Sequence, residues 1–195
     1  NVFSSTFEEQ LKNLRLVLSR IRESGMKLNI KKCQFAQRSV EYLGYKISKE
    51  GIQPGENNRR VIADYPTPST KEKTHSFLGL AGFYRRFIPN FSRVSAPLQA
   101  LIHKDAKFNW TEECQSAFDY LKEKLSSDPI LIHPQRGNPY YLYVDASYHG
   151  LGAMLTQKRE GKHRAIAYIS RTLKPAEKRY SVTELESIRN ILGSK

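Results

Sequence analysis

The chain has 195 residues, 32 Lys and Arg against 19 Asp and Glu, and a formal net charge of +13. A hydrophobic share of 39% supports a real core and excludes a disordered basic tail; no apolar run reaches the roughly 18 residues of a membrane span. The positive excess points to a polyanion, most simply a nucleic acid, against the plainer reading of a merely soluble basic protein.

In chain order, Ser5-Thr6 followed by Glu8-Glu9 makes a capping-box start. Phe7, Leu11, Leu14, Leu18 and Ile21 then recur at helical steps, and Gly25 ends the helix. Cys33, with Cys114 far downstream, belongs to no CxxC and has no His at ligand spacing. Zinc is therefore not expected, and two reduced thiols fit an intracellular protein. From Ser39 to Ser48 the pattern becomes strand-like, with Val40 and Tyr42, then Tyr45 and Ile47 across Gly44, predicting a hairpin or bulge. Lys49-Glu50-Gly51 reads as a turn. A short helix over 57–64 stops at Tyr65-Pro66-Thr67-Pro68, the first boundary.

Ser69-x-x-Glu72 predicts the cap of a second helical region, with Phe77, Phe83 and Phe87 as core residues. Thr111 with Glu112 and Glu113 starts a third helix whose core face is Ala117, Phe118, Leu121 and Leu125. Asp128-Pro129 breaks it, and 134–139 reads as a linker. The period then changes to strands over 140–145, 150–157 and 163–170, the last two joined across 158–162. Thr183-x-x-Glu186 opens a final helix.

Asp145 carries the chemistry. An apolar run from Tyr140 delivers its carboxylate to a strand end, where a divalent ion could sit between it and a phosphate. An Asp before Ala146-Ser147 is also an ordinary turn residue, so the surrounding chain has to decide.

That chain carries an ordered series of motifs. Met26-Lys-Leu-Asn-Ile-Lys-Lys-Cys-Gln-Phe35, Tyr42-Leu-Gly-Tyr45, Gly51-Ile-Gln-Pro54, Tyr65-Pro-Thr-Pro68 and Phe77-Leu-Gly-Leu80 come first. Phe83-Tyr-Arg-Arg-Phe-Ile88, Trp110-Thr-Glu-Glu-Cys114, Val144-Asp-Ala-Ser147 and Tyr180-Ser-Val-Thr-Glu184 follow. Together they resemble the Pol polyprotein of gypsy-type LTR retrotransposons, from the end of the reverse transcriptase palm into ribonuclease H. The resemblance covers about residues 1 to 187.

The resemblance implies an α+β fold. A reverse transcriptase palm remnant with a primer-grip hairpin would cover 1–65 and a helical thumb and connection 66–136; a truncated ribonuclease H-like mixed sheet would cover 137–195. It implies a nuclease site with two Mg²⁺ ions, for which Asp145 matches the first acid and Glu186 the second, as catalytic and metal-ligating residues. Glu184 is the alternative register, and Glu186 could equally be only a capping residue. The family's paired polymerase aspartates would lie upstream of Asn1, and two further nuclease acids belong to later elements. A fragment with these bounds is therefore expected to be inactive alone.

Gly44, Tyr45 and Lys46 correspond to the family's primer grip; Arg85 and Arg86 are candidates for phosphate contact, as against a solvated helix face. The implied partners are RNA–DNA hybrid and duplex, with the remaining Pol segments (protease, palm, integrase) and no membrane. The implied place is intracellular, in a cytoplasmic virus-like particle or the nucleus. The rival readings are a decayed or domesticated non-catalytic nucleic-acid-binding module and a structural subunit.

Overall fold

The computed structural model describes residues 2, 4, 6–147, 150–174 and 177. The chain divides into two compact units, Asn1–Gln37 and Arg38–Lys195. In the first, α1 (Phe7–Glu23) starts at Thr6, whose hydroxyl accepts from Glu9 N at 3.2 Å; Glu8 and Glu9 complement the N-terminal end of the dipole. Gly25 N–H donates to Arg22 O at 3.0 Å with φ +70, closing the helix as its glycine predicts. The apolar stripe forms as expected, yet no residue of α1 is buried, and Phe7, Leu11 and Leu18 are exposed.

The second unit begins with an antiparallel sheet of β1 (Ser39–Tyr42), β2 (Tyr45–Ser48) and β3 (Ile52–Pro54). Tyr42 pairs with Tyr45, so Leu43 and Gly44 alone make the turn, both at positive φ (48 and 80). A two-residue turn of that hand matches the twist of its strands, which resolves the hairpin-or-bulge alternative in favour of the hairpin.

Four α-helices and a short 3₁₀ turn then build the core: α2 (Glu56–Ala63), α3 (Lys71–Phe83), α4 (Phe91–Val94) and α5 (Ala96–Leu101), with the turn at Arg85–Phe87. The longer α6 (Glu112–Ser126) completes it. The cap of α3 is Thr70, which accepts from Lys73 N at 3.3 Å, one residue later than the Ser69 box suggests; Ser69 Oγ accepts from the Lys73 ammonium instead. Thr111 caps α6 as expected. Its face of Ala117, Phe118, Leu121 and Leu125 is buried against Ile62, Phe77, Leu98 and Leu131, and the Phe77 and Phe118 rings lie 4.6 Å apart. Phe77 and Phe87 are core, but Phe83 is 51% exposed, because it stands on the outer face of α3.

A second antiparallel sheet follows, β4 (Tyr140–Ser147), β5 (Gly150–Arg159) and β6 (Lys162–Arg171), in that order. Leu131 bridges Ile52 of the first sheet, and Ile132 N–H donates to Ala165 O of β6 at 2.9 Å, so two consecutive residues tie both sheets to the helical core. The buried Gln157 side chain accepts from Gln135 N and donates to Gln135 O and Asn138 O, which fixes the 134–139 linker beside β4. The predicted helix after Thr183, with Glu184 and Glu186, lies outside the described residues.

Candidate metal and nucleic-acid site

Asp145 sits two residues before the end of β4, opposite Gly152 of β5, and is exposed. It borders a shallow depression shared with Asn90, Ser92, Arg93, Gly150 and Leu151. The depression exists because α4 docks on the sheet. Asn90 Oδ1 lies 2.0 Å from where a Cβ on Gly152 would stand, so any larger residue there would push the Asn90 amide aside. Ser92 N–H donates to Ser170 Oγ at 3.0 Å, and the Arg85 guanidinium donates to Ser170 O at 2.9 Å.

A carboxylate on a paired strand is a suitable oxygen donor for Mg²⁺. Among the described residues no cluster of three or more His, Cys, Asp or Glu side chains could hold a metal ion. The sequence-predicted partner Glu186 falls outside the described residues.

The hairpin tip is held by hydrogen bonds at Gly44. Gly44 O accepts from Tyr84 Oη at 2.7 Å and from Gly55 N at 2.7 Å, and Asn58 Nδ2 donates to Tyr84 Oη at 2.6 Å. Burial is the main cause that raises the Tyr84 phenol above its ordinary range, so it remains a donor. The Tyr45 ring stacks on Phe83 at 5.2 Å and meets Tyr84 edge-on at 5.6 Å. These contacts engage the ring within the protein. Lys46 is half-buried between Glu41 and Gln53 in the ladder.

Of the two arginines, Arg85 is tied to β6 by its guanidinium. Arg86 is half-buried, with an Nε that has no hydrogen-bond partner among the described residues.

Two features escape sequence reading. One is the outer face of α3, where His75, Gly79 and Phe83 follow each other at helical four-residue steps and are all exposed. The space beside Gly79 is open: among the described residues no neighbouring atom lies within 4 Å of where a Cβ would stand. The four-residue spacing was visible in the sequence; that the face is outward was not.

The other is the strap after β6. Arg171 holds Glu177 by two hydrogen bonds of 2.6 and 2.9 Å, and Lys174 N–H donates to the same carboxylate at 2.8 Å. These bonds, the arginine's first, hold the Glu177 carboxyl at about 2. Since its value is depressed, what the strap contributes is complete above the usual carboxylate range and is lost as pH falls towards 2.

Helices followed by an antiparallel sheet make this a reverse transcriptase segment with a ribonuclease H-like sheet, as two family matches show. Residues 110–192 match the family described as "RNase H-like domain found in reverse transcriptase", and residues 1–47 match "Reverse transcriptase (RNA-dependent DNA polymerase)". The chain thus carries the end of a reverse transcriptase region and an RNase H-like domain of the kind found in reverse transcriptases.

Among curated relatives it is 36% identical over 185 residues to the retrovirus-related Pol polyprotein from transposon 412 of Drosophila melanogaster, covering 95% of this chain and 15% of that protein. It is 33% identical over 195 residues to that from transposon 297 of the same fly, covering 100% and 18%. The chain thus spans less than a fifth of the length of these relatives.

In structure it is similar to the foamy viral protease-reverse transcriptase solved with RNA/DNA hybrid (TM-score 0.81, 25% identity, 98% of this chain and 26% of that one). The same enzyme solved with dsDNA gives a TM-score of 0.80 at 27% identity, over 97% and 40%. No helix among the described residues is long and apolar enough to cross a membrane.

Proposed function

We propose that this chain is the template-primer-holding and nuclease-bearing part of a retrotransposon Pol protein, which synthesises DNA on RNA and degrades the RNA strand of the resulting hybrid. Residues 1–65 close the palm, 66–136 form the thumb and connection, and 137–195 begin the ribonuclease H-like domain. The boundary at 65 and 66 marks a change of role and not a break in packing, because Ile62 and Phe77 share one core.

In the intact protein Asp145 and Glu186 would hold Mg²⁺, which activates water and stabilises the leaving oxygen when bound. Gly44, Tyr45 and Lys46 shape the primer side, Tyr45 by stiffening the hairpin through Phe83 and Lys46 by charge. Arg85 and Arg86 add positive potential at the junction with β6. A cytoplasmic virus-like particle or the nucleus is the proposed setting.

The observation that carries the reading is the outer face of α3. A glycine inside a helix is about 0.5–1 kcal/mol worse than alanine and here serves no internal packing. Its use is to let something outside approach the helix between His75 and Phe83. A duplex surface fits, since half-exposed Phe83 offers apolar contact and His75 a hydrogen-bonding ring. Gly79→Ala is therefore expected to raise stability by about 0.5–1 kcal/mol while weakening hybrid and duplex binding. Denaturant melts and binding isotherms on the same samples check both signs; unchanged affinity removes this face from the interface.

Binding itself is tested by titrating labelled hybrid at a series of salt concentrations. Affinity should fall with a log-log slope of about −0.9 for each phosphate neutralised, with little preference for sequence. No binding at low salt would sink the proposal. Binding by the intact polyprotein without cleavage or synthesis would instead favour the non-catalytic module.

A further inference from the structure

On the face of the sheet that carries Asp145, Ala165 and Tyr168 of β6 pack against the helical core and Thr156 of β5 is buried, so that the open part is β4. Alternation puts Tyr141, Tyr143 and Asp145 on this face, at steps of roughly 6.6–6.8 Å. The helical region covers the part of the same face contributed by Gly152 and Ser170, through Asn90 and Ser92. Along β4 the rings stay open, Tyr141 at 37% and Tyr143 at 47% exposure.

These rings are open but not loose. His163 of β6 meets both edge-on, its ring 4.6 Å from Tyr141 at 87° and 5.5 Å from Tyr143 at 90°. Thr156 Oγ1 lies between the strands, donating to Tyr141 O at 3.2 Å and standing 3.3 Å from His163 Nδ1. With the hydroxyl proton spent on Tyr141 O, the Thr156 oxygen accepts from His163 Nδ1–H. The imidazole is thereby held in one tautomer, with Nε2 left for a ligand. Lys158, exposed, is the cross-strand partner of His163.

We propose that Tyr141, Tyr143 and His163, with Lys158 beside them, receive a single strand of nucleic acid running from the Asp145 end of β4. The proposal rests on the nucleic-acid reading above and assigns the sheet a binding surface separate from the α3 face. Exposed aromatic rings beside a cation bind bases of any identity through their π-faces, while the cation takes the backbone charge. Rings already fixed by a perpendicular imidazole lose little freedom when a base arrives. The surroundings suit a polyanion: over 158–164 the β5–β6 hairpin carries Lys158, Arg159, Lys162 and Arg164 against Glu160. A protein partner would find no such reason for the charge.

The test is photo-crosslinking of the whole chain to a 5-iodouridine-containing RNA strand, with peptide mapping of the adduct, beside affinities of variants for the same strand. The expected adduct lies on Tyr141 or Tyr143, with Tyr140, which alternation places on the other face, as internal control. Tyr141→Ala with Tyr143→Ala should weaken binding about tenfold or more, the worth of roughly one stacked base. The double Phe variant should keep wild-type affinity, and melts of each variant report folding. Should the double Ala variant unfold, the position of the wild-type adduct decides alone.

Wild-type binding with the adduct on Tyr140 or elsewhere, or a folded double Ala variant that binds as wild type, overturns the surface while leaving the nucleic-acid reading intact. No binding by the wild-type chain at low salt overturns both.

Discussion

Asp145→Asn in the intact polyprotein is expected to abolish hybrid cleavage while leaving DNA synthesis on a primed RNA template unchanged. The substitution keeps the shape of the side chain and removes its charge. A hard divalent ion needs anionic oxygen, and an ion at such a site contributes several kcal/mol to the transition state. At about 1.4 kcal/mol per tenfold, the loss is on the order of 10³-fold or more. Because Asp145 is exposed, the same change should move stability by no more than about 0.5 kcal/mol. A gel assay of end-labelled RNA in hybrid, run beside primer extension, separates the two activities. Cleavage at the wild-type rate would return Asp145 to an ordinary residue at a strand end.

What could be read from the sequence follows from where each signal is local. Thr6 and Thr111 cap their helices as read, because an N-cap is settled by a hydroxyl and an N–H three residues on. The face of α6 was legible for a related reason: Ala117, Phe118, Leu121 and Leu125 form a single stripe that buries as one. At α3 the cap moved from Ser69 to Thr70, since adjacent hydroxyls offer two registers and only the backbone path chooses between them. Phe83 was misread as core because the second half of α3, 77–83, is apolar all round. Thr74, Phe77 and Ala81 face inward and leave Phe83 outside.

The site was legible only in part. Asp145 stands at the end of a run that any strand reading would find. The Asn90 contact with Gly152 and the His163 contacts with Tyr141 and Tyr143 join residues distant in sequence, and nothing local announces them. The Tyr45 ring is a further case: the resemblance puts it in the primer grip, and only the fold shows Phe83, Tyr84 and Phe87 around it.

The two phenylalanines Phe118 and Phe83 should therefore respond differently to truncation. Phe118 is 2% exposed, with the Phe77 ring at 4.6 Å and the Trp110 ring edge-on at 5.9 Å. Phe118→Ala opens a cavity at the place where α3 and α6 meet, and should cost about 3–5 kcal/mol. That is a large part of the roughly 5–15 kcal/mol by which domains are stable, so urea unfolding should show an early midpoint or no folded baseline. Phe83→Ala removes a half-exposed ring whose contacts are Tyr45 at 5.2 Å and Tyr84 at 4.9 Å. Its stability cost should be clearly the smaller of the two, because solvent already reaches the ring and little cavity remains. Its effect should appear in affinity for hybrid, measured well below the melting midpoint. If Phe83→Ala unfolds the protein as readily as Phe118→Ala, the ring is a structural wedge for the Gly44 hairpin and the outer face of α3 loses its apolar contact with the duplex.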